Sequence, residues 1–141
     1  MIPVLVLTHG ELAVALLDAA RTIDPQLGGG ETAALALPWD VDSDQASTTV
    51  KEMVNDLDQG GGVLILTDMF GGTATNLALP FLDPDRVEIV TGVNLPMLVK
   101  LASIRDQGLS LAEVADRLTV AGQKSIRVAS EFLRSRSARA S

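Results

Sequence analysis

The sequence predicts an α/β domain: a mainly parallel sheet of four or five strands with helices on both faces. Short aliphatic runs alternate along the chain with segments of helical periodicity. The runs lack polar alternation, as expected for strands covered on both sides. Hydrophobic residues make up 47% and aromatic residues only 3%, which suits an aliphatic α/β core rather than an aromatic binding platform.

Val4 to Leu7 reads as the first strand. From Glu11 to about Ile23 the residues Leu12, Leu16, Ala20 and Ile23 recur at helical spacing, and Asp24-Pro25 with Gly28 to Gly30 ends that helix. Ala33 to Leu37 forms a second strand, closed by Pro38. After an acidic loop, a helix over about Ser43 to Leu57 carries Ala46, Val50, Met53, Val54 and Leu57 on one face, and Gly60 to Gly62 terminate it. Val63 to Thr67 is the third and most apolar strand. Gly71-Gly72 leads into a short helix that Pro80 kinks or stops.

Val87 to Thr91 is the fourth strand, followed by a helix from about Pro96 to Ile104. Ser110 and Glu113 form a capping-box pair opening one long last helix. Its buried face is expected at Leu111, Val114, Ala115, Leu118, Ala121, Ser125, Ala129 and Phe132. One domain over residues 1–135 follows, with a frayed polar tail at 136–141.

Composition excludes several classes. The chain of 141 residues carries a formal net charge of −7, against a role in general nucleic-acid binding. There is no cysteine, so disulfides, thiolate metal sites and thiol catalysis are out. No apolar run approaches the roughly 18–20 residues of a membrane span. MIPVLVLTHGE lacks a basic leader and a cleavage site, so it reads as a strand, and a cytoplasmic location is the default.

Open α/β sheets bind ligands at the carboxyl ends of their strands, near the point where strand order reverses. Three polar, glycine-rich segments converge on that edge: Thr8-His9-Gly10, Thr67 to Thr73, and Thr91 to Asn94. A lone histidine is ordinarily a surface or satisfied core residue. His9, the only one, differs because it closes a strand, has Gly10 beside it and precedes a helix whose N–H groups and dipole favour an anion. Neutral imidazole is also a good nucleophile.

Asp68 is the natural partner, since a carboxylate on one ring nitrogen sets the tautomer and leaves the other nitrogen free. Alternatively, it caps the turn ahead of Gly71. Gly71, Gly72 and Thr73 resemble an anion nest, with Gly10 leaving room for phosphate. The glycine triplets are not followed by the Lys-Ser or Lys-Thr of a P-loop. A receiver domain needs acidic residues where Thr8 and His9 stand, and the elbow serine of a G-x-S-x-G hydrolase is missing. One histidine and no cysteine make a poor ligand set for zinc, so neither metal nor cofactor is expected.

Taken together, VLVLTHGELA, LILTDMFGGTATNLA and VTGVNLPMLVKLA resemble the enzyme IIA domain of the mannose family of the bacterial phosphoenolpyruvate-dependent sugar phosphotransferase system. The resemblance covers essentially the whole chain, and the three segments are jointly specific. It implies a flavodoxin-like fold and a phosphocarrier that accepts a phosphoryl group from HPr on His9 and passes it to an enzyme IIB, with the membrane subunits IIC and IID served indirectly. Asp68 matches the family's hydrogen-bonded aspartate, and Thr73 falls where a serine is common. The family often reads Gly-Gly-Ser-Pro where this chain has Gly72-Thr73-Ala74, so the helix start lacks its proline.

The resemblance also implies homodimers formed by exchange of a C-terminal strand, although no fifth strand is read after the last helix. It permits two further roles. One is a regulatory protein that signals by the phosphorylation state of His9. The other is the phosphoryl-transfer subunit of a dihydroxyacetone kinase, against which the D-x-F-G-G and N-L-P-M-L segments weigh.

Overall fold

A computed structural model describes residues 1–140. Strands β1 (Val4–His9), β2 (Thr32–Leu37), β3 (Val63–Thr67) and β4 (Val87–Thr91) alternate with helices α1 (Leu12–Ile23), α2 (Ser43–Leu57), α3 (Thr73–Ala78), α4 (Leu95–Ile104) and α5 (Leu111–Lys124). A last helix, α6, spans Ala129–Ala140. Among the described residues the sheet has four strands, all parallel, in the order β2-β1-β3-β4. The fold class is as predicted, at the smaller of the two strand counts. No fifth strand lies among them.

Alternation along the strands divides the core in two. Val4, Val6, Leu64 and Leu66 face the layer formed with Ala13, Leu98, Leu101 and Leu118, from α1, α4 and α5. Leu5, Leu7, Val63 and Ile65 face the opposite layer, with Val50, Val54, Ala74 and Ala78 from α2 and α3. Helices therefore cover both faces, which is why the central strands run apolar from Val4 to Leu7 and from Val63 to Leu66.

The caps follow the sequence closely. Asp42 accepts the N–H groups of Asp44 and Gln45, and Asn94 accepts that of Met97. Ser110 accepts the N–H of Glu113 at 3.3 Å, but the Glu113 carboxylate returns to the Ser110 hydroxyl rather than to its backbone. Pro80 lies in a 3₁₀ turn, Leu79–Phe81, immediately after α3. It stops the short helix as its ring requires.

Two expectations need correction. The buried stripe of α1 is Ala13, Leu17 and Ala20, whereas Leu12 and Ile23 are exposed and Leu16 is half-buried. Asp18, Arg21 and Thr22 mark the polar side. The wide apolar remainder holds two adjacent stripes, Leu12, Leu16 and Ile23 beside Ala13, Leu17 and Ala20, between which spacing alone does not choose. A small Ala13 inside lets the helix approach β1, and the Ala13 N–H is held by Thr8 Oγ1 at 2.7 Å.

The long last helix is instead two helices, broken at Ile126 to Val128. Ser125 N–H is shared between the Ala121 and Gly122 carbonyls, and Arg127 Nε donates to the Lys124 carbonyl at 2.9 Å. A helix of this length already spans about 21 Å, more than the roughly 17 Å of a five-residue strand. Beyond Ser125 the apolar stripe has no sheet left to cover, so Ser125 and Ala129 are exposed and Phe132 is half-buried beneath Arg127. The segment read as a frayed tail from residue 136 continues α6 to Ala140, and Ser141 lies outside the described residues.

Candidate functional site

The strand order reverses direction between β1 and β3, and both site residues stand at that point. His9 closes β1, and Asp68 directly follows β3. Asp68 Oδ2 lies 2.7 Å from His9 Nδ1 and also accepts the His9 backbone N–H at 3.0 Å. Its other oxygen accepts the Met69 N–H at 2.9 Å. Orienting the imidazole and capping the turn, two alternative roles in the sequence, are thus performed by one carboxylate.

The Thr73 N–H donates to His9 Nε2 at 3.3 Å. With a donor on Nε2 and a carboxylate on Nδ1, the hydrogen-bond network assigns the proton to Nδ1 and the lone pair to Nε2. Burial pushes the Asp68 carboxyl up. The hydrogen bonds from the His9 ring, the His9 N–H and the Met69 N–H outweigh it and hold the carboxyl below its usual value. Asp68 is therefore ionised at neutral pH.

The glycines serve different ends. Gly10 has φ +53°, a left-handed turn that directs the chain from β1 into α1, and its N–H donates to the Leu37 carbonyl at 2.8 Å. It contributes space at the site, with its own donor spent on the sheet edge. Gly72 packs against the imidazole: a Cβ there would come within 2.9 Å of His9 Cε1. Gly71 turns the loop at φ +82°.

Sequence reasoning missed the supports. Thr75 Oγ1 bonds to Thr67 Oγ1 at 2.7 Å and to the Met69 carbonyl at 2.6 Å, clamping the two ends of the loop that carries Asp68. Both threonines are fully buried, and the signal for Thr67 was a hydroxyl at the end of an otherwise aliphatic strand. Trp39, two residues past β2, stacks on the His9 ring. Its signal was its place beside Pro38 at the same sheet edge. Asn94, on the fourth strand's polar end, serves as the cap of α4. Among the described residues no group of three or more His, Cys, Asp or Glu could hold a metal ion. No described helix is long and apolar enough to cross a membrane.

Fold and site together define a class: small doubly wound α/β domains presenting one carboxylate-oriented imidazole at the switch point. Residues 3–119 match the family model described as the PTS system fructose IIA component, PTS being the phosphotransferase system. The chain is 33% identical over 138 residues to the PTS system fructose-specific EIIA component of Bacillus subtilis strain 168, covering 94% of this chain and 90% of that protein.

It is also 30% identical over 132 residues to the PTS system mannose-specific EIIAB component of Escherichia coli K12. That match covers 89% of this chain but only 39% of the longer protein. Among solved structures, the PTS IIA protein associated with the fucose utilization operon of Streptococcus pneumoniae aligns with a TM-score of 0.78 at 32% identity, over 93% of this chain and 95% of that one. The EIIA component from Streptococcus agalactiae aligns with a TM-score of 0.81 at 19% identity, over 93% and 99% of the two chains, which supports the fold alone. The chain belongs to the mannose-type enzyme IIA family of the sugar phosphotransferase system. It is a phosphotransferase-system component, and phosphoryl transfer is the chemistry of that system.

Proposed function

We propose that this chain is a cytoplasmic phosphocarrier that accepts a phosphoryl group from phospho-HPr on His9 Nε2 and passes it to an enzyme IIB, serving IIC and IID indirectly. The observation that carries the reading is the 2.7 Å contact between His9 Nδ1 and Asp68 Oδ2. It keeps the proton on Nδ1, so the Nε2 lone pair is the one available for attack. As the new N–P bond forms, the donor's N–P bond breaks and its electron pair returns to the donor's ring. The acceptor ring becomes cationic, and the ionised Asp68 offsets that charge.

The Thr73 N–H, which donates to Nε2 in the free protein, then lies beside the phosphoryl oxygens, with Gly71 and Gly72 shaping the turn that holds it. The surroundings suit protein partners. His9 retains 21% side-chain exposure, and Met69 and Phe70 project from the same loop at 58% and 72% exposure. Such an apolar rim fits a partner surface that must dock, exchange a small group and leave.

The test is to supply phosphoenolpyruvate, enzyme I and HPr with labelled phosphate. One phosphoryl group should be gained, lost on brief acid treatment, retained in alkali and absent from His9→Ala. Label on His9→Ala, or label with the stability of an acyl phosphate, would make Asp68 the acceptor and overturn the reading.

A further inference from the structure

Trp39 is the only tryptophan of the chain. It keeps 82% of its surface in water, so core burial does not account for it. What it touches is the site. Its indole stacks on the His9 imidazole with ring centroids 5.5 Å apart and planes inclined by 22°. It also overhangs Gly10, where a Cβ would meet three indole atoms at 3.6–3.7 Å. The Gly10 N–H ties this strand end to the Leu37 carbonyl at 2.8 Å, so the backbone carrying the indole is joined to the residue after the histidine.

We propose that Trp39 is a positioning residue whose indole face stabilises the cationic, phosphorylated ring of His9 and so shifts the phosphoryl-transfer equilibrium toward this chain. The inference rests on His9 being the phosphoryl acceptor. Bond formation at Nε2, with the proton kept between Nδ1 and Asp68, turns a neutral imidazole into an imidazolium. When the phosphoryl group leaves, Nε2 recovers its electron pair and the ring is neutral again. Asp68 meets the charge at the ring's edge, and the indole meets it over the face. An aromatic face carries negative potential and attracts a cation, whereas it gains little from the neutral ring. At an exposed position this preference corresponds to roughly a two- to five-fold change in equilibrium.

The experiment compares wild type, Trp39→Phe and Trp39→Leu in the full chain. Leucine retains apolar bulk but has no π face, and phenylalanine restores one. Labelled phosphoryl groups are equilibrated between HPr and each protein. Trp39→Leu is expected to move the balance about two- to five-fold toward HPr, while Trp39→Phe recovers most of the loss. In the unphosphorylated proteins, the NMR signals of the His9 ring protons should show ring-current shielding in wild type that Trp39→Leu abolishes.

A second donor, potassium phosphoramidate, loads accessible histidines without HPr. If His9 takes label from either donor and Trp39→Leu matches wild type, the inference is wrong while the phosphocarrier reading stands. Absence of shielding in wild type would also overturn it. If neither donor labels His9, the phosphocarrier reading fails and this one with it.

Discussion

Asp68→Asn preserves the shape of the side chain while removing its charge, and the surrounding hydrogen bonds set the consequence. The carboxylate accepts three of them: from His9 Nδ1 at 2.7 Å, from the His9 backbone at 3.0 Å and from Met69 at 2.9 Å. An amide has one oxygen, so it cannot accept all three. With that oxygen toward His9, its NH₂ group opposes the Met69 N–H. With the amide reversed, the NH₂ opposes the His9 backbone N–H and donates to Nδ1, which drives the ring proton onto Nε2 and removes the nucleophilic lone pair. An unpaired donor costs about 1–3 kcal/mol, and the first arrangement leaves fewer of them.

The favoured variant therefore keeps the reactive tautomer but leaves the developing imidazolium without its counter-charge. By analogy with other carboxylate–histidine pairs, acceptance should slow on the order of 10- to 100-fold or more. That range corresponds to about 1.4–2.7 kcal/mol or more of transition-state stabilisation. Quenched-flow transfer from labelled phospho-HPr measures the rate, and thermal melting by circular dichroism checks that the fold survives. A variant that accepts phosphate at the wild-type rate would refute the reasoning and leave Asp68 a loop cap only.

Acid should weaken the fold through the same residue. Asp68 and Asp58 both have lowered carboxyl values, the latter first through the Gly60 N–H and then, against a burial penalty, through the Gly62 N–H and Arg86. Each contributes stability that is present above its unfolded value of about 3.9 and lost as pH falls through the lower folded value. Urea unfolding from about pH 5 downward should show that slope, reduced in Asp68→Asn; equal slopes would count against it. Gly72→Ala would place a Cβ 2.9 Å from His9 Cε1 and 3.1 Å from Met69 Cγ, so phosphoryl acceptance should drop while melting changes little. Gly108→Ala, in the loop after α4 and away from His9, meets nothing within 4 Å and carries only the strain of φ +64°, about 1–2 kcal/mol, making it the control. Transfer by Gly72→Ala at the wild-type rate would show that the ring is not confined there. Finally, a homodimer is expected, because Ile126, Val128 and Leu133 are 80%, 60% and 59% exposed after α5. Light scattering that returns a monomer mass at micromolar concentration would reject it.

Strands β1 and β3 were legible because buried parallel strands are local aliphatic runs, β4 because Val87, Ile89 and Val90 keep even this edge strand largely apolar, and α2 because Asp42 and the glycines at 60–62 punctuate both of its ends. The long last helix was misread because its apolar spacing carries on past Ser125, and spacing does not show where the underlying sheet ends. The inner face of α1 was missed in part because its apolar side is wide, and spacing does not say which of two neighbouring stripes turns inward.

The sequence by itself determined the alternation of elements, the sheet edge where polar, glycine-rich segments gather, and the place of its only histidine, His9, at that edge. These are properties of short windows: a strand's composition, a glycine's place, an only histidine. The tertiary structure decided what meets the two sides of that imidazole. Asp68 lies 59 residues away in sequence and reaches Nδ1 because β1 and β3 pair in register. Trp39 reaches the ring's face because the β1–β2 pairing carries His9 alongside Leu37, two residues before the indole. Such contacts depend on strand order and register, and no local run of residues encodes them.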